Sequence, residues 1–214
     1  MKKLSLYLLT IVMFYGCVQA QDHSIAKLPE PKPNEKLATF AGGCFWAMTE
    51  AMRELKGVNL VVAGYAGGTV KNPTYEQVCE KNTGHAETVQ VYYDPKVISY
   101  QQLVHAFLYA HNPTELNYQG PDEGDDYRSE IWYRTPEEKT IIMDEIKKVN
   151  ATRHYNAAIA TKVEPYKTFY AAEVYHQGYY RIHPESGYIQ GVSVPKVMKM
   201  RAAVPELLKP EFKK

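Results

Sequence analysis

Residues 36–65 read KLATFAGGCFWAMTEAMRELKGVNLVVAGY, and the fold turns on how they divide. Residues 36–41 predict a short strand that breaks at Gly42-Gly43. A helix follows at once, because Phe45, Met48, Met52 and Leu55 recur at helical spacing and Gly57 ends the run. Residues 58–65 predict a second strand, closed by the turn signal Gly64-Tyr65-Ala66-Gly67-Gly68. Downstream, residues 88–94 alternate, with Val89, Val91 and Tyr93 on one face. Ser99 with Gln102 makes a capping box for a helix to about Ala110, on which Leu103, Phe107 and Ala110 share a face. Residues 129–134 predict a strand. Thr135-Pro136-Glu137-Glu138 predicts another capping box, with proline in the first turn of a helix to about Val149. Residues 159–164 predict the last strand.

That order predicts an α+β fold, a ferredoxin-like split βαβ two-layer sandwich. Residues 66–86 and 111–128 are long for loops, and long ordered loops tend to carry function. Residues 195–214 read as an irregular, basic, cysteine-free tail. The chain of 214 residues is 45% apolar and 23% charged, which excludes disordered, collagen-like and coiled-coil classes. Charge is balanced, 25 basic against 24 acidic residues, and no Lys/Arg run marks a nucleic-acid partner. Three cysteines, Cys17, Cys44 and Cys79, are too few and scattered for a disulfide framework or a thiolate zinc cage.

The N-terminus reads as an address. Lys2-Lys3 precedes an apolar stretch over residues 4–18, shorter than the roughly 20 residues a membrane crossing needs. It matches a secretory signal, with Val18-Gln19-Ala20 as cleavage site; Gly16-Cys17 also permits a lipidated Cys17 as mature N-terminus. The expectation is an exported protein, periplasmic or held at a membrane as a lipoprotein. Residues 1–20 are then signal, residues 21–36 a Pro- and Lys/Glu-rich linker, and residues 37–214 the catalytic domain.

The chemistry centres on Cys44. A cysteine where a strand turns through two glycines into a helix start receives unpaired N–H groups and partial positive charge. Such a position can pull a thiol from about 8.5 into roughly the 3.5–7.5 range. Phe45 and Trp46 are adjacent, so on a helix they point about 100° apart and at least one is free to line a pocket. An aromatic wall beside a thiolate suits a small apolar or sulfur-bearing group. In Thr83-Gly84-His85-Ala86-Glu87, the carboxyl of Glu87 opens a half-buried strand, where desolvation raises its pKa and lets it donate a proton near neutrality. The acidic run Asp122, Glu123, Asp125, Asp126 lacks the alternating ligands of a calcium loop, so no metal is expected. These residues leave open a cysteine hydrolase with His85 or His176 as base, a Tyr-rich peptide-binding module, and a thiol redox enzyme. His176 in the segment 171–180 reads more simply as a brace for the site.

Five segments in order resemble the peptide methionine sulfoxide reductase A family: Gly42-Gly43-Cys44-Phe45-Trp46, Gly64-Tyr65-Ala66-Gly67-Gly68, Asn72-Pro73-Thr74-Tyr75, Gly84-His85-Ala86-Glu87 and Tyr127-Arg128-Ser129. The resemblance spans about residues 37 to 183. It implies that Cys44 attacks the sulfoxide sulfur and that Glu87 protonates the sulfoxide oxygen. It further implies that Tyr75 and Tyr127 hydrogen-bond that oxygen, that Asp122 orders the site, and that Phe45 and Trp46 cage the substrate methyl group. It implies reduction of the S epimer of free or protein-bound methionine sulfoxide without a cofactor, through a sulfenic acid on Cys44. Many relatives carry resolving cysteines in the tail. This chain has none after Cys79, which reads as packed rather than poised, so the expected partner is a thioredoxin-like or small-thiol reductant.

Overall fold

The computed structural model describes residues 21–213. The apolar stretch over residues 4–18 and Cys17, read above as an export signal or lipid site, lie outside the described residues. Strand β1 (Lys36–Gly42) is followed by helix α1 (Phe45–Arg53) and strand β2 (Val58–Ala66), as the opening stretch predicts. Gly43 makes the turn at φ +80, and a Cβ there would stand 2.5 Å from the Gln119 side chain. Strand β3 (Ala86–Tyr93) lies between β1 and β2, antiparallel to both.

The Ser99/Gln102 capping box opens helix α3 (Tyr100–Tyr109), with both of its reciprocal bonds made. Its Phe107 stacks on Phe40 of β1, ring centroids 4.9 Å apart. Strand β6 (Ser129–Tyr133) pairs antiparallel with β1. Helix α4 (Pro136–Thr152) is capped by the Thr135 hydroxyl, which accepts the Glu138 N–H. The predicted reciprocal bond is absent: the Glu138 carboxylate accepts the N–H of Arg134 instead, at 2.6 Å. The last predicted strand is shifted to β7 (Lys162–Pro165), parallel to β6, and an edge strand β8 (Phe169–Ala171) pairs with β2. The order β7-β6-β1-β3-β2-β8 is a mixed sheet, and with its helices the fold is α+β.

The segments read as long loops carry short elements. Helix α2 (Tyr75–Cys79) has its own capping box from Thr74 and Gln77. Strands β4 (Tyr118–Gln119) and β5 (Asp122–Glu123) form a small hairpin, followed by a 3-10 turn at Asp125–Tyr127. Strand β3, expected to be half-buried, is buried on both faces. One face packs on the helices; the other meets Ala41, Val62, Trp132 and Phe169 under Ala26 and Tyr166.

Residues 21–35 hold no helix or paired strand of the sheet and are mostly exposed, yet they are fastened. Val174 N–H donates to Ser24 O, Ala26 N–H to Ala172 O, and the Tyr92 hydroxyl to Pro29 O. Residues 195–214, expected to be irregular, instead hold most of helix α6 (Val194–Ala203), which follows helix α5 (Tyr179–Ile182) and a π turn at Ile189–Ser193. Val197, Met200 and Val204 of this stretch recur at helical spacing and are wholly buried. Its lysines and arginine conceal that pattern from composition. Arg201 ties α6 to the end of α1, donating to both oxygens of Glu54 at 2.6 and 2.7 Å. Glu54 is fully buried, and that burial pushes its carboxyl up despite the guanidinium beside it. Arg201→Met is expected to lower stability in urea unfolding by about 3 kcal/mol at neutral pH, since it strands a buried carboxylate. The deficit narrows in acid, where Glu54 takes up a proton.

Candidate active site

Cys44 is the N-cap residue of α1 and is 6% exposed. Across from it, on β3, the Glu87 carboxyl accepts the Phe45 N–H at 2.9 Å. The strand register sets Glu87 opposite Tyr65 of β2, so the sheet aims this carboxyl at the helix start. Burial is the main cause that raises Glu87 to about 8, reinforced by the charges of Asp126 and Asp122 and opposed by the Phe45 N–H. The acid is therefore largely neutral below that pH, as the sequence suggests.

The thiol departs from expectation. Burial, and then the charge of Glu87, push Cys44 well above the ordinary thiol range, although the Trp46 N–H and the Tyr188 hydroxyl favour the thiolate. The helix start is present, but withdrawal of the sulfur from water outweighs it. The resting pair is thus a protonated thiol beside a mostly protonated carboxyl.

Tyr75 of α2 and Tyr127 of the 3-10 turn complete this side of the site. Burial raises both phenols beyond any physiological titration, and both feel the charges of Glu87 and Cys44. They are permanent O–H donors. Tyr75 is held through its backbone: its N–H donates to Glu173 Oε1 at 2.9 Å, while Glu173 Oε2 accepts the Tyr65 hydroxyl at 2.9 Å. Asp122 on β5 accepts the Tyr188 hydroxyl at 2.7 Å and has Lys196 Nζ 3.5 Å from the same oxygen.

The adjacent aromatics separate as helix geometry requires. Phe45 is buried, packed on Tyr65 and against His176 at a centroid distance of 4.8 Å. Trp46 is half-buried, stacked on Tyr179 at 3.8 Å and met edge-on by Tyr188 at 5.6 Å. Its indole N–H donates to His176 Nδ1 at 3.1 Å. His176 is 1% exposed, and burial holds it down to about 4, so it stays neutral and braces the indole.

All seven residues singled out in the sequence (Cys44, Glu87, Tyr75, Tyr127, Asp122, Phe45 and Trp46) lie in one neighbourhood. Tyr188, Glu173 and Lys196 were missed, since each arrives from the C-terminal part with no local motif. Cys79 is the other correction: it is exposed rather than packed, one turn after Tyr75, and its thiol is within hydrogen-bonding reach of the Tyr75 hydroxyl. Neither histidine can serve as base to Cys44. His85 accepts the Gly68 N–H at Nδ1 and meets Val70 O at Nε2, and His176 Nδ1 is taken by Trp46. That removes the triad needed by the hydrolase reading. Two clefts, of about 580 and 700 Å³, lie away from Cys44; the second shares Gln119 and Lys196 with the surroundings of the site.

The chain is similar to several known proteins. The family model described as peptide methionine sulfoxide reductase matches residues 36–207. Peptide methionine sulfoxide reductase MsrA 1 of Rhodopirellula baltica is 47% identical over 168 residues, covering 78% of this chain and 86% of that protein. The structure of Mxr1 from Saccharomyces cerevisiae in reduced form superposes with a TM-score of 0.69 at 34% identity, covering 73% of this chain and 91% of that one. A further structure, of Mxr1 in complex with Trx2, matches with a TM-score of 0.51 at 26% identity over 72% of this chain and 91% of that one.

Proposed function

The chain belongs to the peptide methionine sulfoxide reductase family and is an enzyme that reduces methionine sulfoxide, and we propose that it does so on the S epimer, by oxygen transfer to Cys44. One observation carries this reading: a buried carboxyl raised to about 8 stands at the nucleophile's own helix start, flanked by two permanently neutral phenols. A sulfoxide oxygen leaves only when protonated, so a thiol attacking sulfur needs a neutral acid and donors grouped at that oxygen.

In this reading Tyr75 and Tyr127 donate to the sulfoxide oxygen, and Phe45 and Trp46 enclose the S-methyl group. The Cys44 sulfur attacks the sulfoxide sulfur as Glu87 gives its proton to the oxygen. The protonated oxygen then passes as hydroxyl to the Cys44 sulfur while the S–O bond and the S–S bond made by the attack both break, and methionine leaves. Substrate sulfur is reduced by two electrons and Cys44 oxidised to a sulfenic acid; the thiol proton restores Glu87. Asp122 orders this side through Tyr188 and Lys196. A reducing thiol then condenses with the sulfenic acid, releasing water, and a second thiol breaks the resulting disulfide. A thioredoxin-like protein is the proposed physiological reductant, supported by the Mxr1 complex with Trx2.

Repair of oxidised exported proteins, with the chain free or anchored through Cys17, is proposed from the N-terminal sequence. The ferredoxin-like reading of the fold is supported by the antiparallel run β6-β1-β3-β2.

A single turnover tests the scheme. Mixed with excess S-sulfoxide peptide and no thiol, the enzyme should yield about one methionine per chain and a dimedone adduct on Cys44 alone. A second equivalent of methionine, or an adduct elsewhere, contradicts it. Cys79→Ser should leave turnover with dithiothreitol within about twofold of the wild type, because the external thiol resolves Cys44 directly. A large loss would make Cys79 the resolving thiol.

A further inference from the structure

Tyr188 lies on Asp122 and Trp46 beside the nucleophile and has no direct part in the chemistry set out above. We propose that Tyr188 is a further catalytic residue: as Cys44 ionises, its hydroxyl turns from Asp122 to the sulfur and holds the thiolate by an O–H···S hydrogen bond during attack. This rests on Cys44 being the nucleophile of the proposed reaction.

The geometry brings three groups to one point. The Tyr188 hydroxyl donates to Asp122 Oδ2 at 2.7 Å and lies within hydrogen-bonding reach of the Cys44 thiol. Its ring is fixed edge-on against Trp46, interplanar angle 86°. Lys196 Nζ stands 3.5 Å from the same Asp122 oxygen and 3.5 Å from Gln119 O. It is also 3.4 Å from where a Cβ on Gly43 would sit, so this cation is adjacent to the residue before the nucleophile.

A phenol has one proton to give. At rest it goes to Asp122. Once the sulfur is anionic it becomes the stronger acceptor, buried as Cys44 is. Lys196 remains on Asp122, so the carboxylate is not left bare when the hydroxyl turns. The groups facing Cys44 are Glu87 from β3, Asp122 from β5, Tyr75 from α2, Tyr127 from the 3-10 turn, and Tyr188 and Lys196 from the C-terminal part. Among the described residues named here, burial and the two carboxylates oppose the thiolate. The Trp46 N–H and the Tyr188 hydroxyl support it, and Tyr188 is the phenol within hydrogen-bonding reach of the sulfur. Glu87 takes the Cys44 proton in the same step in which it gives its own proton to the sulfoxide oxygen, so negative charge develops on the sulfur as attack proceeds and the step balances.

Tyr188→Phe keeps the ring on Trp46 and removes only the hydroxyl. The ionisation of Cys44 is read from the pH dependence of its alkylation by iodoacetamide, in a Cys79→Ser background so that the exposed thiol does not react. Loss of the O–H donor should raise the midpoint by about one pH unit, equivalent to about tenfold less thiolate at fixed pH. kcat for the S-sulfoxide peptide should fall by about the same factor near neutrality, with KM within about twofold. An unmoved thiol titration overturns the proposal, and a rise in KM alone would reduce Tyr188 to a packing residue. If the wild type itself fails to reduce the S epimer, it is the function proposed above that fails.

Discussion

Glu87→Gln is expected to slow reduction of S-methionine sulfoxide by about 10²- to 10⁴-fold, the range for removing a positioned general acid. The substitution is nearly isosteric, and the Gln carbonyl can still accept the Phe45 N–H that Glu87 accepts at 2.9 Å. The helix start therefore keeps its cap while the proton donor is lost. The same change removes the second-largest cause of the raised Cys44 thiol, the charge of Glu87. Cys44 should consequently ionise at lower pH and alkylate faster in the variant, while catalysis collapses. Opposite movement of nucleophile and turnover is hard to obtain from general damage to the site. If alkylation and reduction fell together, the acid role would be wrong.

Glu87 also predicts a pH signature. Its folded pKa is raised to about 8, above the ordinary carboxylate range of about 4.3 expected of the unfolded chain. Between those values the folded state binds the extra proton, so this group's contribution to stability falls as pH rises through that window. Reductase activity limited by the neutral acid should fall as pH rises through about 8 for the same reason. Glu87→Gln should flatten both dependences.

Cys44→Ser is expected to abolish turnover, a loss on the order of 10⁴-fold or more, because among the described residues no other thiol stands at the start of α1 beside Glu87 to take the oxygen. The enclosure that pushes even a thiol upward disfavours a serine alkoxide far more strongly. The variant should fold: Cys44 makes no side-chain cap bond to α1. It should form no dimedone adduct after exposure to sulfoxide. Retained activity would remove Cys44 from the mechanism and leave no thiol but Cys79 among the described residues.

The frame of the fold was readable because its signals are local. Gly42-Gly43 marks the β1–α1 turn, and the Ser99/Gln102 box starts α3 where the sequence puts it. Glu87 was readable as a raised acid because its strand pattern already implies burial. The sign of the Cys44 shift was not, since it depends on enclosure by residues distant in the chain. Tyr188, Lys196 and Glu173 come from a C-terminal part whose charges hide the buried stripe Val197, Met200 and Val204. The 17-residue α4 shows the converse limit: Thr135 caps it as predicted, yet the Glu138 carboxylate goes to Arg134, a choice of hydrogen-bond partner that local pattern does not determine.

The most direct measurement is reduction of a methionine sulfoxide peptide as separate S and R epimers, with dithiothreitol in excess. Turnover of the S epimer alone is the expected result: one arrangement of Glu87, Tyr75 and Tyr127 around Cys44 receives the oxygen from one direction. Turnover of both epimers at similar rates would contradict the stereochemical assignment, and turnover of neither by the folded protein would contradict the reductase mechanism itself.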